Sequence, residues 1–225
     1  MASVINVTHV HYPESDGKPM GETDEHRDAM VRHIELLRHY YRGQQVYVSG
    51  DLLVYYEQGN PRKFVVPDAF VAKGLTQRRR RIYKIWVEGK APDVVIETTS
   101  RKTRRKDTTD KPQLYARLGI KEYFLFDPDQ EYLDPPLQGH RLVGSEYVQI
   151  QPDDSGSLVS EQLGLRLRIE NEELQLYRLD TGERLLSAEE RAELEAAARG
   201  TEAEARQAAE AEIKRLREEL ARHTQ

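Results

Sequence analysis

One stretch of seven residues restricts this chain more than any other. Asp93-Val94-Val95-Ile96-Glu97-Thr98-Thr99 has an interior that is apolar at consecutive positions. A strand with one wet face alternates apolar and polar residues. Val-Val-Ile does not, so this strand is expected at the centre of a sheet with both faces covered. Residues 106–118 follow with helical character, with Leu114, Tyr115 and Leu118 on one side. Pro112 is tolerated only in a first turn, which starts the helix near Lys111. Gly119 ends it, and Tyr123-Phe124-Leu125-Phe126 reads as a second buried strand, closed by Asp127-Pro128.

The flanking sequence supplies smaller elements. Thr23 or Asp24 caps a helix on which Met30, Ile34, Leu37 and Tyr41 recur at helical spacing, ending near Gly43. Strands are expected at Val46–Val48, Leu52–Tyr56, Phe64–Val71 (interrupted by Pro67-Asp68) and Ile82–Val87. Four further segments between 139 and 177 are expected to be antiparallel and peripheral. Residues 187–225 differ in kind: eleven alanines in 39 residues, interleaved with Glu and Arg, without proline. That composition predicts a long helix, with a coiled coil and a lone solvated helix as equal readings. The expected organisation is an extension over 1–21, a domain over 22–186 and a helical tail over 187–225.

Charged residues make up 32% of the chain, but they concentrate in the tail, and the remaining roughly 185 residues are enough for a real core. The net charge of −5 excludes a uniformly basic nucleic-acid coat. Two local runs stand out: Arg78–Arg81, and Arg101, Lys102, Arg104, Arg105 and Lys106. Either suits a phosphate backbone, and either suits a solvated loop equally well. The absence of cysteine excludes disulfides and thiolate zinc sites. No signal peptide or membrane-length apolar stretch is present, so a cytoplasmic, membrane-free setting is expected.

Two carboxylates sit among strand-forming residues. Asp68 follows Phe64-Val65-Val66-Pro67, and Glu97 follows Val94-Val95-Ile96. An acid in such surroundings is costly unless it is paired or holds a cation. If segments 68–73 and 92–99 pair antiparallel, the start of one meets the end of the other and Asp68 lies beside Glu97. Two converging carboxylates suit a hard cation such as Mg2+, or Mn2+, with water and a phosphate completing the shell. Asp93 shares a face with Glu97, but four residues of strand separate the two by about 13 Å. It therefore ranks below them as a ligand, assisting a second ion or capping a turn. Lys111 opens the next helix, where an amine would polarise a water or face developing phosphorane charge. Its ordinary alternative is an exposed helix lysine paired with Asp107. Glu22 and His26, near the first helix, are expected at the surface.

Taken together, Pro92–Ser100, Thr103–Asp107 and Lys111–Pro128 resemble the Uma2 (Uma-two) family of restriction endonuclease-like proteins, in the PD-(D/E)XK nuclease superfamily. Val65-Val66-Pro67-Asp68, Asp134-Pro135-Pro136 and the helix from Glu22 extend the likeness across about 20–180. The resemblance implies an α/β fold with a central mixed sheet flanked by helices, magnesium dependence and a DNA-cleaving site. It equates Asp68 with the first-motif aspartate and Glu97 with the acid of the (D/E)XK strand. Thr99 stands where that pattern has lysine, and Lys111 would supply the amine instead. The implied function is a Mg2+-dependent DNA endonuclease contacting the phosphate backbone. The alternative is an inactive nuclease-like binding or assembly module. A homodimer through the nuclease domain or the C-terminal helix fits either. RNA is a further candidate substrate.

Overall fold

The structure, a computed structural model, describes residues 10–17 and 23–223. In chain order its elements are helix α1 (Asp24–Tyr40), strands β1 (Val46–Ser49), β2 (Val54–Tyr55), β3 (Phe64–Val65), β4 (Ala69–Lys73) and β5 (Tyr83–Lys84), and a short helix α2 (Ile85–Glu88). After β6 (Val94–Thr98) come a π-helical turn (Lys106–Asp110), α3 (Lys111–Leu118) and β7 (Glu122–Phe126). The remaining elements are β8 (Leu137–Val143), β9 (Glu146–Gln149), β10 (Leu158–Ser160), β11 (Leu165–Glu170), β12 (Glu173–Arg178) and the long helix α4 (Ala188–His223). The chain divides into two compact units, Met1–Leu185 and Leu186–Gln225.

The first unit is an α/β domain built on a six-stranded mixed sheet of order β1-β4-β6-β7-β8-β9. β6 and β7 pair in parallel, with Val94 opposite Glu122 and Thr98 opposite Phe126. A parallel pair needs a crossover, which the π turn and α3 provide. All five residues of both β6 and β7 are buried, as the consecutive apolar run predicts. Val94 and Ile96 pack with Leu36 and Leu37 of α1 and with Leu165, Leu167, Leu174 and Leu176 of β11 and β12. Val95 packs on the other face with Tyr115 of α3, Tyr123 and Leu125. Each of these fully enclosed apolar side chains contributes about 1.5–3 kcal/mol relative to exposure.

Two readings of the sequence need correction. Ile82–Val87 is not one strand: β5 covers only Tyr83–Lys84, and α2 begins at Ile85 and closes on Gly89 at φ 77°. The segments after 131 pair antiparallel as expected, but not all are peripheral. β9 is the largely exposed edge strand of the central sheet, whereas the separate β10-β11-β12 sheet lends its leucines to one of the two cores. Alternation alone cannot distinguish a strand packed on a core from one at the surface, because both hide a single face.

Thr23 caps α1 by accepting the His26 N–H. The π turn has a local cause. Pro112 carries no N–H, so the regular ladder cannot run through it, and the Lys111 N–H reaches back to the Lys106 carbonyl. Gly119 then ends α3 in the left-handed region, at φ 76°. The second unit is the single helix α4. Among the described residues no helix is long and apolar enough to cross a membrane.

Candidate active site at the carboxyl end of β6

β4 and β6 pair antiparallel with Ala69 opposite Ile96, which brings Asp68 and Glu97 together at the end of the ladder. The contact is reciprocal. The Asp68 N–H donates to Glu97 Oε2 (3.1 Å), and the Thr98 N–H donates to Asp68 Oδ2 (2.7 Å). Each carboxylate is thus held by the backbone of the strand that carries the other. Space here is tight. A Cβ on Gly50 would stand 1.9 Å from the Asp68 carbonyl oxygen, so only glycine allows the chain to pass.

Helices deliver the remaining groups. Lys111 Nζ lies 2.9 Å from Glu97 Oε2 and 2.8 Å from Asp107 Oδ1. The π turn and the start of α3 place Asp107 and Lys111 one above the other, so a single ammonium bridges two acids. Tyr115, one turn further along α3, donates its hydroxyl to Glu97 Oε1 (2.6 Å). From α1, His26 Nε2 stands 3.5 Å from Asp68 Oδ2. Glu97 and Asp107 are buried, whereas the Asp68 side chain keeps 18% exposure and forms the wet edge of the cluster.

The electrostatics follow from this inventory. Three carboxylates share one lysine. Burial drives the Glu97 carboxyl up, the Lys111 charge opposes it, and Asp68 and Asp107 add repulsion; the result is about 8. Burial also raises Asp68, but the His26 contact, the Lys111 charge and the Thr98 N–H outweigh it and hold this carboxyl below its ordinary value. Lys111 is the converse case: burial lowers it, and the three surrounding acids raise it further, so it stays an ammonium. Within the pair at the end of the β4–β6 ladder, the enclosed Glu97 is thus pushed toward its neutral form and the wetter Asp68 toward its charged form. Asp107 Oδ2 is buried with no hydrogen-bond partner among the described residues. The cluster is short of positive charge.

Of the residues singled out in the sequence, Asp68, Glu97 and Lys111 converge. Asp93 does not join them. It precedes β6 at the opposite end, held by Lys90 Nζ (2.5 Å), Lys121 Nζ (2.9 Å) and the Lys73 N–H (2.8 Å). Burial would raise it, but these bonds hold it below the ordinary carboxylate range. The pairing of Lys111 with Asp107 is present, but in a buried setting. Glu22 lies outside the described residues. His26 is buried at 2% exposure, not at the surface. The signal for this is its spacing: 26, 30, 33 and 37 fall on one helical face, the face that Leu37 marks as buried. Asp107 and Tyr115 were not singled out as site residues, because an acid on a polar turn and a tyrosine on an apolar face both have ordinary readings.

The two basic runs diverge. Arg80 ion-pairs with Glu88 (2.9 Å) and lies over the Tyr47 ring, Arg78 joins the same glutamate, and Arg81 pairs with Glu14. Arg101, Arg104, Arg105 and Lys106 are exposed and lie in the chain between Glu97 and Asp107.

A family model described as "Putative restriction endonuclease", Uma2, matches residues 8–204. Among solved structures, the chain is similar to the crystal structure of "a putative nuclease belonging to DUF820" from Anabaena variabilis. Identity is 16%, with 65% of this chain and 76% of that one covered, at a TM-score of 0.48. No curated protein matches the chain. With the greater part of its length matched by one family model, from before α1 into α4, the chain belongs to the Uma2 family.

Proposed function

We propose that the chain is a divalent-metal-dependent nuclease that hydrolyses phosphodiester bonds in DNA, with Asp68 and Glu97 as the metal-holding pair and Lys111 as the active-site amine. One observation carries the reading: three acids gather around a single ammonium, one of them at the wet edge and one held at about 8 by burial. Such a cluster is relieved by a cation. Among the described residues no three acids or histidines are disposed to enclose an ion by themselves. Mg2+ does not require that, because it keeps several waters and binds through one or two carboxylates. The hard oxygens of Asp68 and Glu97, with the orphaned Asp107 Oδ2 nearby, fit that mode. Asp93, neutralised by two lysines at the other end of β6, does not, and it is left out of the metal set.

A divalent ion in such a site supplies Lewis-acid polarisation of a phosphoryl oxygen and acidifies bound water. The chain's own groups have distinct tasks. Tyr115 and the Asp68 N–H fix the orientation of the Glu97 carboxylate. His26 and the Thr98 N–H do the same for Asp68. Lys111 remains positive and faces the charge that develops on the phosphorane. With Thr99 in the place where the superfamily pattern puts lysine, this amine comes from α3. The exposed basic residues between Arg101 and Lys106 track the phosphate backbone and give an affinity that falls with salt.

The test is cleavage of supercoiled plasmid by the purified chain with Mg2+ or Mn2+, beside Glu97→Ala, with RNA run in parallel. Metal-dependent nicking that disappears in the variant supports the proposal. RNA cleavage without DNA cleavage reassigns the substrate. No cleavage of either with any divalent ion leaves a nuclease-like binding module.

A further inference from the structure

α4 carries Leu194, Ile213, Leu216 and Leu220 exposed along its length. Its charge is unevenly divided. From Ala188 to Glu212 the sequence holds eight glutamates and three arginines, whereas Ile213-Lys214-Arg215-Leu216-Arg217 holds three cations and no acid. Ala205 lies at the middle of the helix, which spans Ala188–His223. Leu194 and Leu216 stand equally far on either side of it, as do Ala197 and Ile213, and Thr201 and Ala209. These positions recur every third or fourth residue and so lie along one side.

We propose that α4 pairs antiparallel with α4 of a second copy of this chain, the two crossing at Ala205. In that register Leu194 meets Leu216 of the second copy, Ala197 meets Ile213, and Ala205 meets its counterpart. The flanks decide the orientation. On one side Glu195 lies opposite Arg217 of the second copy, and Glu202 opposite Arg206. On the other side Glu193 lies opposite Arg215. The two-fold axis repeats each pair, so every one occurs twice. A parallel arrangement brings opposite flanks together at the same level, setting Glu193 against Glu195 of the second copy and Arg215 against Arg217. Flanking charges of this kind choose partner and direction in paired helices. The pairs already within α4, Arg206–Glu210 (2.9 Å) and Arg215–Glu212 (2.7 Å), are exposed and exchange readily. The inference rests on the helix alone and is independent of the nuclease reading.

The chain has no cysteine, so introduced thiols report direction directly. Leu194→Cys and Leu216→Cys full-length proteins are oxidised separately and as a mixture. Cross-linked dimer is expected from the mixture and not from either alone. Cross-linking of each variant with itself indicates a parallel pair and overturns the proposal, as does a wild-type chain that sediments as a monomer at all concentrations. Charge provides a second measurement that leaves the apolar side intact. Glu193→Arg with Glu195→Arg is expected to weaken the dimer by about tenfold or more, and adding Arg215→Glu and Arg217→Glu to restore it. Weakening without restoration also overturns the proposal.

Discussion

An acid stands at each end of β6, Asp93 just before it and Glu97 near its close, and the two are matched differently. Asp93 meets two lysines and a backbone N–H, and its charge is matched. Next to it, the buried Glu122 at the start of β7 is equally well served. It accepts from Arg141 at 3.1 Å, from the Ser160 hydroxyl and from the Glu161 and Gln162 N–H groups. Four residues along from Asp93, Glu97 shares one ammonium with Asp107, and Asp68 feels the same charge from further off. Burial is similar at both ends, so burial does not separate structure from function here. The separation lies in whether the local cations balance the local anions. A balanced acid fixes strands in place, whereas an under-balanced one keeps an unfilled demand for positive charge.

The contrast can be broken most directly through activity. Glu97→Gln is expected to abolish metal-dependent cleavage, and Lys111→Met to reduce it by about 10²–10³-fold, because a charge facing the transition state is lost. Asp93→Asn should leave the cleavage rate per folded molecule close to wild type. Plasmid nicking assays decide this, and an Asp93 variant as inactive as the Glu97 variant would erase the distinction.

Stability should show the reverse order. Asp93→Ala orphans the Lys73 N–H and removes the partner of two lysines, with an expected cost of about 2 kcal/mol. Glu97→Gln removes a repelled carboxylate, and it is expected to be neutral or stabilising at pH 8. Urea unfolding measures both.

A sharper test uses pH. The Glu97 carboxyl is raised from 4.5 to about 8 on folding, so the folded state holds its proton more tightly. That contribution is fully present below pH 4.5 and is lost as pH rises through about 8. Wild type should therefore lose stability relative to Glu97→Gln across this window, by at most about 1.4 kcal/mol per pH unit. Asp93 is shifted downward, so its contribution holds at neutral pH and fades only on acidification. Added Mg2+ should flatten the wild-type slope by competing with the proton.

The smallest expected effect extends the contrast to the cations. Arg104→Ala with Arg105→Ala should reduce the salt dependence of DNA binding by a slope of about 2, one per phosphate contact. Arg78→Ala with Arg80→Ala, whose side chains are already matched by Glu88, should leave that slope nearly unchanged.

Much of this was readable from the chain. Val94-Val95-Ile96 announced a doubly covered strand, and Pro112 dated the start of α3 to Lys111. Glu97 stood out because an acid in an apolar strand needs a reason. What escaped notice depended on neighbours distant in sequence. Nothing near Asp93 reveals that Lys121, beyond a whole helix, closes over it. His26 looks like a surface residue until α1 is laid against the sheet. The same limit made β11 and β12 look peripheral: their leucines become core only when the small sheet folds onto the large one.

The crossed hydrogen bonds between Asp68 and Glu97 have a consequence for how the site responds to damage. Since each side chain is tethered to the other's strand, deleting one carboxylate also leaves unsatisfied a backbone N–H in the segment that carries the other. The two acids behave as a single mechanical clasp. Their losses should be strongly non-additive, with the doubly substituted chain scarcely worse than either single one, and the coupling should lie in the range of about 0.5–3 kcal/mol typical of residues in one network.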